Sequence, residues 1–221
     1  MQGTTAAPRG HQLAGRFAEA VAYAATAHGD QVRKGTDLPY VSHLLAVAAL
    51  VLEHGGSEQQ AVAAVLHDVV EDCGGGPRLD DVRATFGDDV ATMVDDLSDA
   101  APAAGEPKPP WRRRKQAYLD HLTGLVDARA PSVLVSCCDK LHNAEAIVAD
   151  ATDPDGAPGL AVFDRFSARP ADTAWYYREL AQRFRAADLP ARLVARLDRA
   201  VDRLADLAVR AEDTAPAGGG T

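Results

Sequence analysis

Apolar residues recur every three or four positions along most of this chain, and this spacing most constrains its fold. It gives an α-helix one apolar face, whereas a half-buried β-strand needs alternation at every second residue. No alternating run of β-branched residues is long enough to indicate a strand. The sequence therefore predicts an all-α protein with a compact multi-helix fold. Its 221 residues are enough to bury a sizeable core.

One domain covering residues 11–211 is the simplest organisation of the chain, with disordered tails at 1–10 and 212–221. Two stretches rich in proline and glycine, 101–110 and 153–159, are predicted to be surface loops. No apolar run approaches the roughly 20 residues that cross a membrane, so we expect no membrane partner.

The amino-terminal segment has no basic region followed by an apolar one, which argues against a secretory signal. The three cysteines form no CxxC pair, and an odd number is a poor disulfide framework. We therefore expect a cytoplasmic protein in which Cys137 and Cys138 act as small buried apolar side chains.

The formal net charge of −9 argues against a general nucleic-acid binder, which needs a basic face. It does not exclude a small anionic substrate, because a metal ion and a few basic side chains make a sufficient local pocket.

The segment from Ser57 to Gly74 predicts one helix, with the serine as N-cap and the glycine just past the carboxyl end. Four polar side chains crowd its last turn and a half: His67, Asp68, Glu71 and Asp72. Carboxylates four residues apart repel each other, and a helix carboxyl end favours cations.

These polar groups have two interpretations. They are solvated residues at a helix end, or they face a cation. His67 and Asp68 follow the most apolar part of the helix, where an unpaired ionised group is costly to bury. A bound metal ion resolves this conflict, and imidazole with carboxylate suits Mn, Fe or Zn.

Four segments in order resemble the HD superfamily of metal-dependent phosphohydrolases, most closely its RelA/SpoT-type alarmone hydrolases. They are AHGDQVRKG (27–35), PYVSH (39–43), LHDVVED (66–72) and DKLHN (139–143). The resemblance extends over about residues 20 to 180 and implies a multi-helix HD-type fold.

The resemblance also implies roles for individual residues. The metal, expected to be Mn²⁺ with Fe²⁺ or Zn²⁺ as alternatives, would be held by His43, His67, Asp68 and Asp139. The pair that orients or deprotonates the attacking water would be Glu71 and Asp72. The substrate contacts would be Arg33, Lys34 and Asn143.

The implied reaction removes the 3′-pyrophosphate of (p)ppGpp and leaves GDP or GTP. Because the chain ends at residue 221, we expect a small alarmone hydrolase without synthetase or regulatory domains. The residue types agree independently: a divalent ion lowers the pKa of bound water, and a nearby carboxylate takes its proton.

Two features depart from the long alarmone enzymes. After DKLHN they usually continue Met-Arg-Thr, whereas Ala144, Glu145 and Ala146 follow here. The loop between Arg33 and Pro39 is one residue longer than the common spacing. Both departures lie where substrate is expected to be recognised.

The densest basic run is residues 112–115. It is a solvated helix start in the simpler interpretation, but four cations oppose the dipole at a helix amino end. We therefore include Arg114 and Lys115 as candidate phosphate contacts. An aromatic group at 175–177 is interpreted as core rather than as a base-stacking surface.

Two other functions are compatible with these residues. One is an HD phosphohydrolase of another phosphorylated nucleotide, such as NADPH or a nucleoside monophosphate, which Glu145 would favour. The other is a nucleotide-binding regulatory module without catalysis. The expected partner is in each case a small-molecule nucleotide, and the oligomeric state is left open.

Overall fold

The computed structural model describes residues 13, 15–98, 109–152 and 159–214. Within these ranges the chain is helical, and its only β-type pairing is a bridge between Val32 and Pro39. The all-α prediction is confirmed. The helices are α1 (Gly15–His28), α2 (Val41–Glu53), α3 (Glu58–Leu66), α4 (Val69–Cys73), α5 (Gly76–Phe86), α6 (Asp88–Leu97), α7 (Trp111–Asp127), α8 (Ser132–Thr152), a 3-10 helix (Gly159–Arg165), α9 (Pro170–Ala186) and α10 (Ala191–Thr214).

Helices α3 and α8 form the centre of the fold. Every residue from Ala61 to Leu66 of α3 is buried, and this helix packs against α1, α2, α6 and α8. Helix α8 is buried from Ser132 to Asp139 and packs against α2, α3, α7, α9 and α10. The carboxyl end of α3, the start of α2 and the middle of α8 therefore meet inside the protein.

Ser57 caps the amino end of α3, as the sequence predicts. Its Oγ accepts a hydrogen bond from the Gln60 amide at 3.2 Å, and the Gln60 Oε1 accepts one from the Ser57 amide at 2.8 Å. This reciprocal capping box satisfies two amide groups that have no partner within the helix.

The prediction of one uninterrupted helix up to Gly74 is wrong, because α3 ends at Leu66 and α4 begins at Val69. Asp68 has φ −99° and ψ −4°, in the sparsely populated region between helix and strand. The carbonyl of Ala64, at the end of α3, accepts a hydrogen bond from the His67 ring at 2.8 Å. The chain therefore turns at the two residues whose side chains face the interior.

Other boundaries follow the sequence closely. Phe86 and Gly87, a pair whose glycine predicts a break in a helical segment, separate α5 from α6, with Gly87 at φ 90°. Helix α8 begins directly after Pro131. Helix α10 continues to Thr214, so the predicted tail boundary at 212 falls inside it. Residues 1–10 and 215–221 and most of the two predicted loops lie outside the described ranges.

Side chains expected in the core are found there. Tyr176 and Tyr177 are buried, as are Cys137 and Cys138, which form no disulfide. Burial raises the pKa of the Cys138 thiol to about 12, so it stays protonated. No helix among the described residues has both the length and the apolar character that a bilayer span requires.

Candidate metal centre

Three parts of the chain bring imidazole and carboxylate groups together. His43 lies in the first turn of α2, His67 and Asp68 lie between α3 and α4, and Asp139 lies in α8. Asp139 Oδ1 is 3.2 Å from His43 Nε2 and 3.6 Å from His67 Nε2. Asp68 Oδ2 is 2.9 Å from His67 Nε2 and 3.7 Å from His43 Nε2. The four predicted ligands therefore converge on one small volume.

The orientation of His67 suits a metal ligand. Because Ala64 O can only accept a hydrogen bond, the His67 Nδ1 carries the proton and donates it at 2.8 Å. The opposite nitrogen, Nε2, is buried and makes no hydrogen bond within the described residues. Asp68 and Asp139 outweigh the burial of His67 and raise its pKa well above the usual value, so Nε2 carries a proton, close to both carboxylates, that a bound cation would replace.

His43 is oriented by a second histidine. Its Nδ1 lies 2.8 Å from the Nδ1 of His142, so one ring donates a proton to the other. Burial and the neighbouring His43 lower the pKa of His142 to about 4, so that ring is neutral near pH 7. With the proton on His43 Nδ1, the His43 Nε2 lone pair faces Asp139 and Asp68.

The two carboxylates remain ionised, although Asp139 is buried and the Asp68 side chain is only 22% exposed. Burial opposes the charge of Asp139, but Lys140 and the two histidines lower its pKa well below the usual value. Lys140 Nζ lies 2.6 Å from Asp139 Oδ2, which leaves Oδ1 directed at the histidines. Burial is likewise outweighed by His67 at Asp68, whose pKa is lowered. Two ionised carboxylates are thus available, beside the two imidazoles, as ligands for a divalent cation.

These residues form a candidate metal site. The donor atoms of His43, His67 and Asp139 all lie within 4.8 Å of one another, and all three residues are buried. Two imidazoles with carboxylates form a mixed N/O set that suits divalent Mn, Fe or Zn.

Glu71 and Asp72, predicted to handle water, lie on the exposed side of α4. Asp72 Oδ2 accepts a hydrogen bond from Gln31 Nε2 at 2.9 Å. Gln31 Oε1 in turn accepts one from His28 Nδ1 at 2.9 Å. The loop after α1 therefore fixes the direction of one of the two carboxylates.

Tyr40 also contacts the cluster, although sequence reasoning assigned it no role. Its hydroxyl donates a hydrogen bond to Asp68 Oδ2 at 2.6 Å, and its ring stacks on His28 at a centroid distance of 4.9 Å. Burial and the charge of Asp68 raise the pKa of Tyr40, so its hydroxyl remains a donor. Its place inside the PYVSH segment was the available signal.

Two predicted substrate contacts meet beside the metal cluster. Arg33 Nη2 donates a hydrogen bond to Asn143 Oδ1 at 3.1 Å, and Asn143 Nδ2 donates to Asp139 Oδ1 at 2.6 Å. Lys34 follows Arg33 and is exposed. The loop segment that carries Arg33 and Lys34 therefore lies next to the carboxylates of the candidate metal site.

The basic run at the start of α7 packs towards α9. Lys115 Nζ lies 5.4 Å from the centre of the Tyr176 ring, and Arg112 pairs with Asp172 at 2.8 Å. Arg114 is partly buried in the same turn. These contacts do not bring Arg114 or Lys115 into the cluster described above, and their substrate role stays a prediction.

Glu145, whose effect on substrate recognition stays a prediction, contacts α10. Both of its carboxylate oxygens accept hydrogen bonds from Arg196 of α10, at 2.7 and 2.8 Å. Glu145 is one of the residues that line a groove of about 420 Å³ between α8 and α10. Glu145 therefore faces α10, whereas Asn143, two residues earlier, faces the metal cluster.

An all-α fold that joins a histidine-aspartate pair to a histidine and an aspartate from other helices defines an HD-type metal domain. A family model described as "HD domain" matches residues 20–169, which is more than half of the sequence. The chain belongs to this family.

Relatives with curated names carry the same region. Guanosine-3′,5′-bis(diphosphate) 3′-pyrophosphohydrolase MESH1 of Xenopus tropicalis is 33% identical over 128 residues, which are 57% of this chain and 65% of that protein. Bifunctional (p)ppGpp synthase/hydrolase SpoT of Escherichia coli is 29% identical over 131 residues, 58% of this chain and 17% of that protein. The matched region spans less than two thirds of either relative.

A solved structure supports the fold. It belongs to a metazoan orthologue of SpoT, described as hydrolysing ppGpp, and it aligns with 86% of this chain and 96% of its own. The TM-score is 0.65 and the sequence identity is 24%. This likeness shows that the two proteins share a fold.

Proposed function

We propose that this protein is a metal-dependent pyrophosphohydrolase that removes the 3′-pyrophosphate of (p)ppGpp and produces GDP or GTP and pyrophosphate. The proposal rests mainly on Asn143, which forms hydrogen bonds with both Asp139 and Arg33. This side chain connects the candidate metal site directly to the loop that carries the basic residues. Relatives named as ppGpp hydrolases support the choice of substrate.

The ligands in this proposal are His43, His67, Asp68 and Asp139, and the expected metal is Mn²⁺. When bound, the ion would lower the pKa of a coordinated water and offset charge on phosphoryl oxygens. The chain's own part is to aim the two Nε2 lone pairs, which it does through Ala64 and His142. Tyr40 holds Asp68 Oδ2, the oxygen that faces the histidines, and Lys140 holds Oδ2 of Asp139, the oxygen turned away from them.

Glu71 and Asp72 are the residues proposed to orient the water and take its proton. Both lie on α4, one turn beyond the ligands, and Gln31 holds one oxygen of Asp72. The water oxygen would bond to the phosphorus attached to the 3′ oxygen. The bond between that phosphorus and the 3′ oxygen then breaks, and the 3′ oxygen takes a proton as pyrophosphate leaves.

Substrate binding is proposed for Arg33, Lys34 and Asn143, with Arg114 and Lys115 as further phosphate contacts. Guanidinium and ammonium groups pair with phosphate oxygens, and the net charge of −9 makes such local cations necessary for an anionic substrate. Asn143 places the first of these cations next to the metal ligands.

The test is pyrophosphate release from ppGpp by protein loaded with Mn²⁺, with chelated protein and Asp68→Ala as controls. We expect release that both controls abolish. Turnover of NADPH or a nucleoside monophosphate without turnover of ppGpp would replace the proposed substrate with another nucleotide. Tight ppGpp binding without turnover would favour a regulatory module.

A further inference from the structure

The loop at residues 31–40 is a small ordered hairpin. The Arg33 amide donates to Leu38 O at 2.8 Å, and the Tyr40 amide donates to Gln31 O at 2.9 Å. The Thr36 amide closes the tip by donating to Arg33 O at 3.0 Å. These bonds fix the shape of the loop, but its position relative to the metal cluster needs contacts with the rest of the protein.

One such contact is the hydrogen bond from Arg33 to Asn143 on α8. It holds one side of the loop tip and involves a residue already proposed to bind substrate. A phosphate bound by the guanidinium would compete with this bond. Gln31 and Tyr40 attach the base of the loop to Asp72 and Asp68, but they do not reach the tip at Lys34 and Gly35.

Arg165, at the end of the 3-10 helix, provides a second attachment at the tip. Its side chain lies directly against the backbone of Gly35, so that a Cβ added there would be 2.5 Å from Arg165 Nε and 2.6 Å from Cδ. Gly35 also has φ +75°, which favours glycine. The absence of a side chain at position 35 is what allows this close contact.

The Arg165 side chain is itself held in place. Its guanidinium pairs with Asp150 of α8, and only 18% of the side chain is exposed. Because Asp150 neutralises the charge, this arginine is suited to packing against the loop and less suited to binding phosphate. Asp150 and Asn143 lie seven residues apart on α8, so the two contacts near the loop tip lead to the helix that carries Asp139.

We propose that Arg165 is a positioning residue for substrate recognition: together with Asp150 it clamps the tip of the 31–40 loop, so that Arg33 and Lys34 are preorganised beside the metal cluster. This inference rests on the proposed function. Arg165 acts through Gly35 and touches neither the metal ligands nor, in this proposal, the substrate. A preorganised loop lowers the ordering cost of binding, which should be visible in KM.

The kinetic test compares Arg165→Ala and Asp150→Asn with wild type in Mn²⁺-dependent ppGpp hydrolysis. We expect KM to rise about tenfold with kcat within about twofold, because the loop is displaced while the metal and the water-handling pair are not. Arg199→Ala is the matched control, an exposed arginine of α10 outside the loop contacts. An unchanged KM in both variants, or an equal change in the control, would overturn the proposal.

A second measurement does not depend on turnover. Amide hydrogen exchange of Arg33 and Thr36, whose amides form the loop hydrogen bonds, should become at least about tenfold faster in Arg165→Ala and in Asp150→Asn. Exchange in the buried part of α8 should not change, which separates loop release from general unfolding. Unchanged loop exchange in both variants would reject the clamp even if KM rises.

A double-mutant cycle that combines Gly35→Ala with Arg165→Ala tests the contact between Gly35 and Arg165. The alanine Cβ should displace Arg165 and raise KM, and this effect should be smaller in the Arg165→Ala background because the obstructing side chain is gone. The cost of a positive φ is common to both backgrounds and cancels. Fully additive effects would mean that the two residues do not act through each other.

The outcomes also separate this inference from the proposed function. If wild-type protein binds metal but does not hydrolyse ppGpp, the proposed substrate fails, and exchange at Arg33 and Thr36 alone decides whether the clamp exists. If wild-type protein hydrolyses ppGpp and neither KM nor loop exchange responds to Arg165→Ala, the function stands and the clamp is wrong.

Discussion

Asn143 Nδ2 lies 2.6 Å from Asp139 Oδ1, one helical turn away on α8. The same amide accepts a hydrogen bond from Arg33, which is 110 residues away in the sequence. A single neutral side chain thus connects a candidate metal ligand to the loop that carries the cations. An amide suits this position because it can donate to a carboxylate and accept from a guanidinium at the same time.

Replacing Asn143 by leucine should lower kcat/KM for ppGpp by about 100-fold, since both hydrogen bonds are lost and the ligand and loop become less well oriented. The measurement is steady-state kinetics at saturating Mn²⁺. Gln116→Leu is the matched control, because Gln116 also donates to a carboxylate one turn away but does so on the surface of α7. Equal losses in the two variants would contradict a specific role for Asn143.

Tyr40→Phe should weaken Mn²⁺ binding by about 10- to 100-fold, because the hydroxyl that holds Asp68 Oδ2 is removed while the aromatic ring remains. The measurement is competition with a fluorescent chelator. Tyr23→Phe removes a comparable hydroxyl that donates to Asp81 away from the cluster, and it should leave metal affinity unchanged. Full affinity in Tyr40→Phe would show that Asp68 needs no such support.

The stability of the metal-free protein should depend on His142 in weakly acidic solution. The folded-state pKa of about 4 lies below the usual value of about 6.5, so the unfolded chain takes up the proton first as the pH falls. The contribution of the neutral ring is complete above about pH 6.5 and is lost towards pH 4. Urea unfolding with EDTA should therefore show a shallower pH dependence for His142→Gln than for wild type over this range. If the free energy of unfolding depended on pH equally in the two proteins, the lowered pKa of His142 would be refuted.

Glu145→Ala should leave kcat and KM for ppGpp within about twofold of wild type, because its carboxylate pairs with Arg196 of α10. The free energy of unfolding should fall by up to about 1 kcal/mol, since both partners are more than one third exposed and solvent screens the pair. Arg196→Ala should have the same effect on unfolding, and the double variant should be less than additive. A large change in KM would show that Glu145 does affect substrate binding.

The sequence was sufficient to predict the helical class, because the apolar period is set by local geometry. It also predicted Ser57 as an N-cap and the turn at Gly87, since both depend on the properties of single residues. The candidate ligands were identified through the order of four motifs, and the structure brings all four of them together.

The contacts that the sequence did not predict depend on packing between distant segments. Gln31 reaches Asp72 across 41 residues, and Tyr40 reaches Asp68 across 28. No spacing rule connects such pairs. The pairing of Glu145 with Arg196 was unpredictable for a related reason: it depends on how α10 packs against α8, which a helical period alone does not determine.

The turn between α3 and α4 explains how two consecutive residues can serve one ion. On a regular helix neighbouring side chains diverge by about 100°, so a histidine and the aspartate after it would point to different sides. The backbone of Asp68 leaves helical geometry, and its carboxylate then faces the same volume as His67. If this dipeptide were grafted onto a regular helix, the two ligands would point in different directions. A designed site of this kind therefore needs the histidine and the aspartate together with the non-helical backbone at the aspartate.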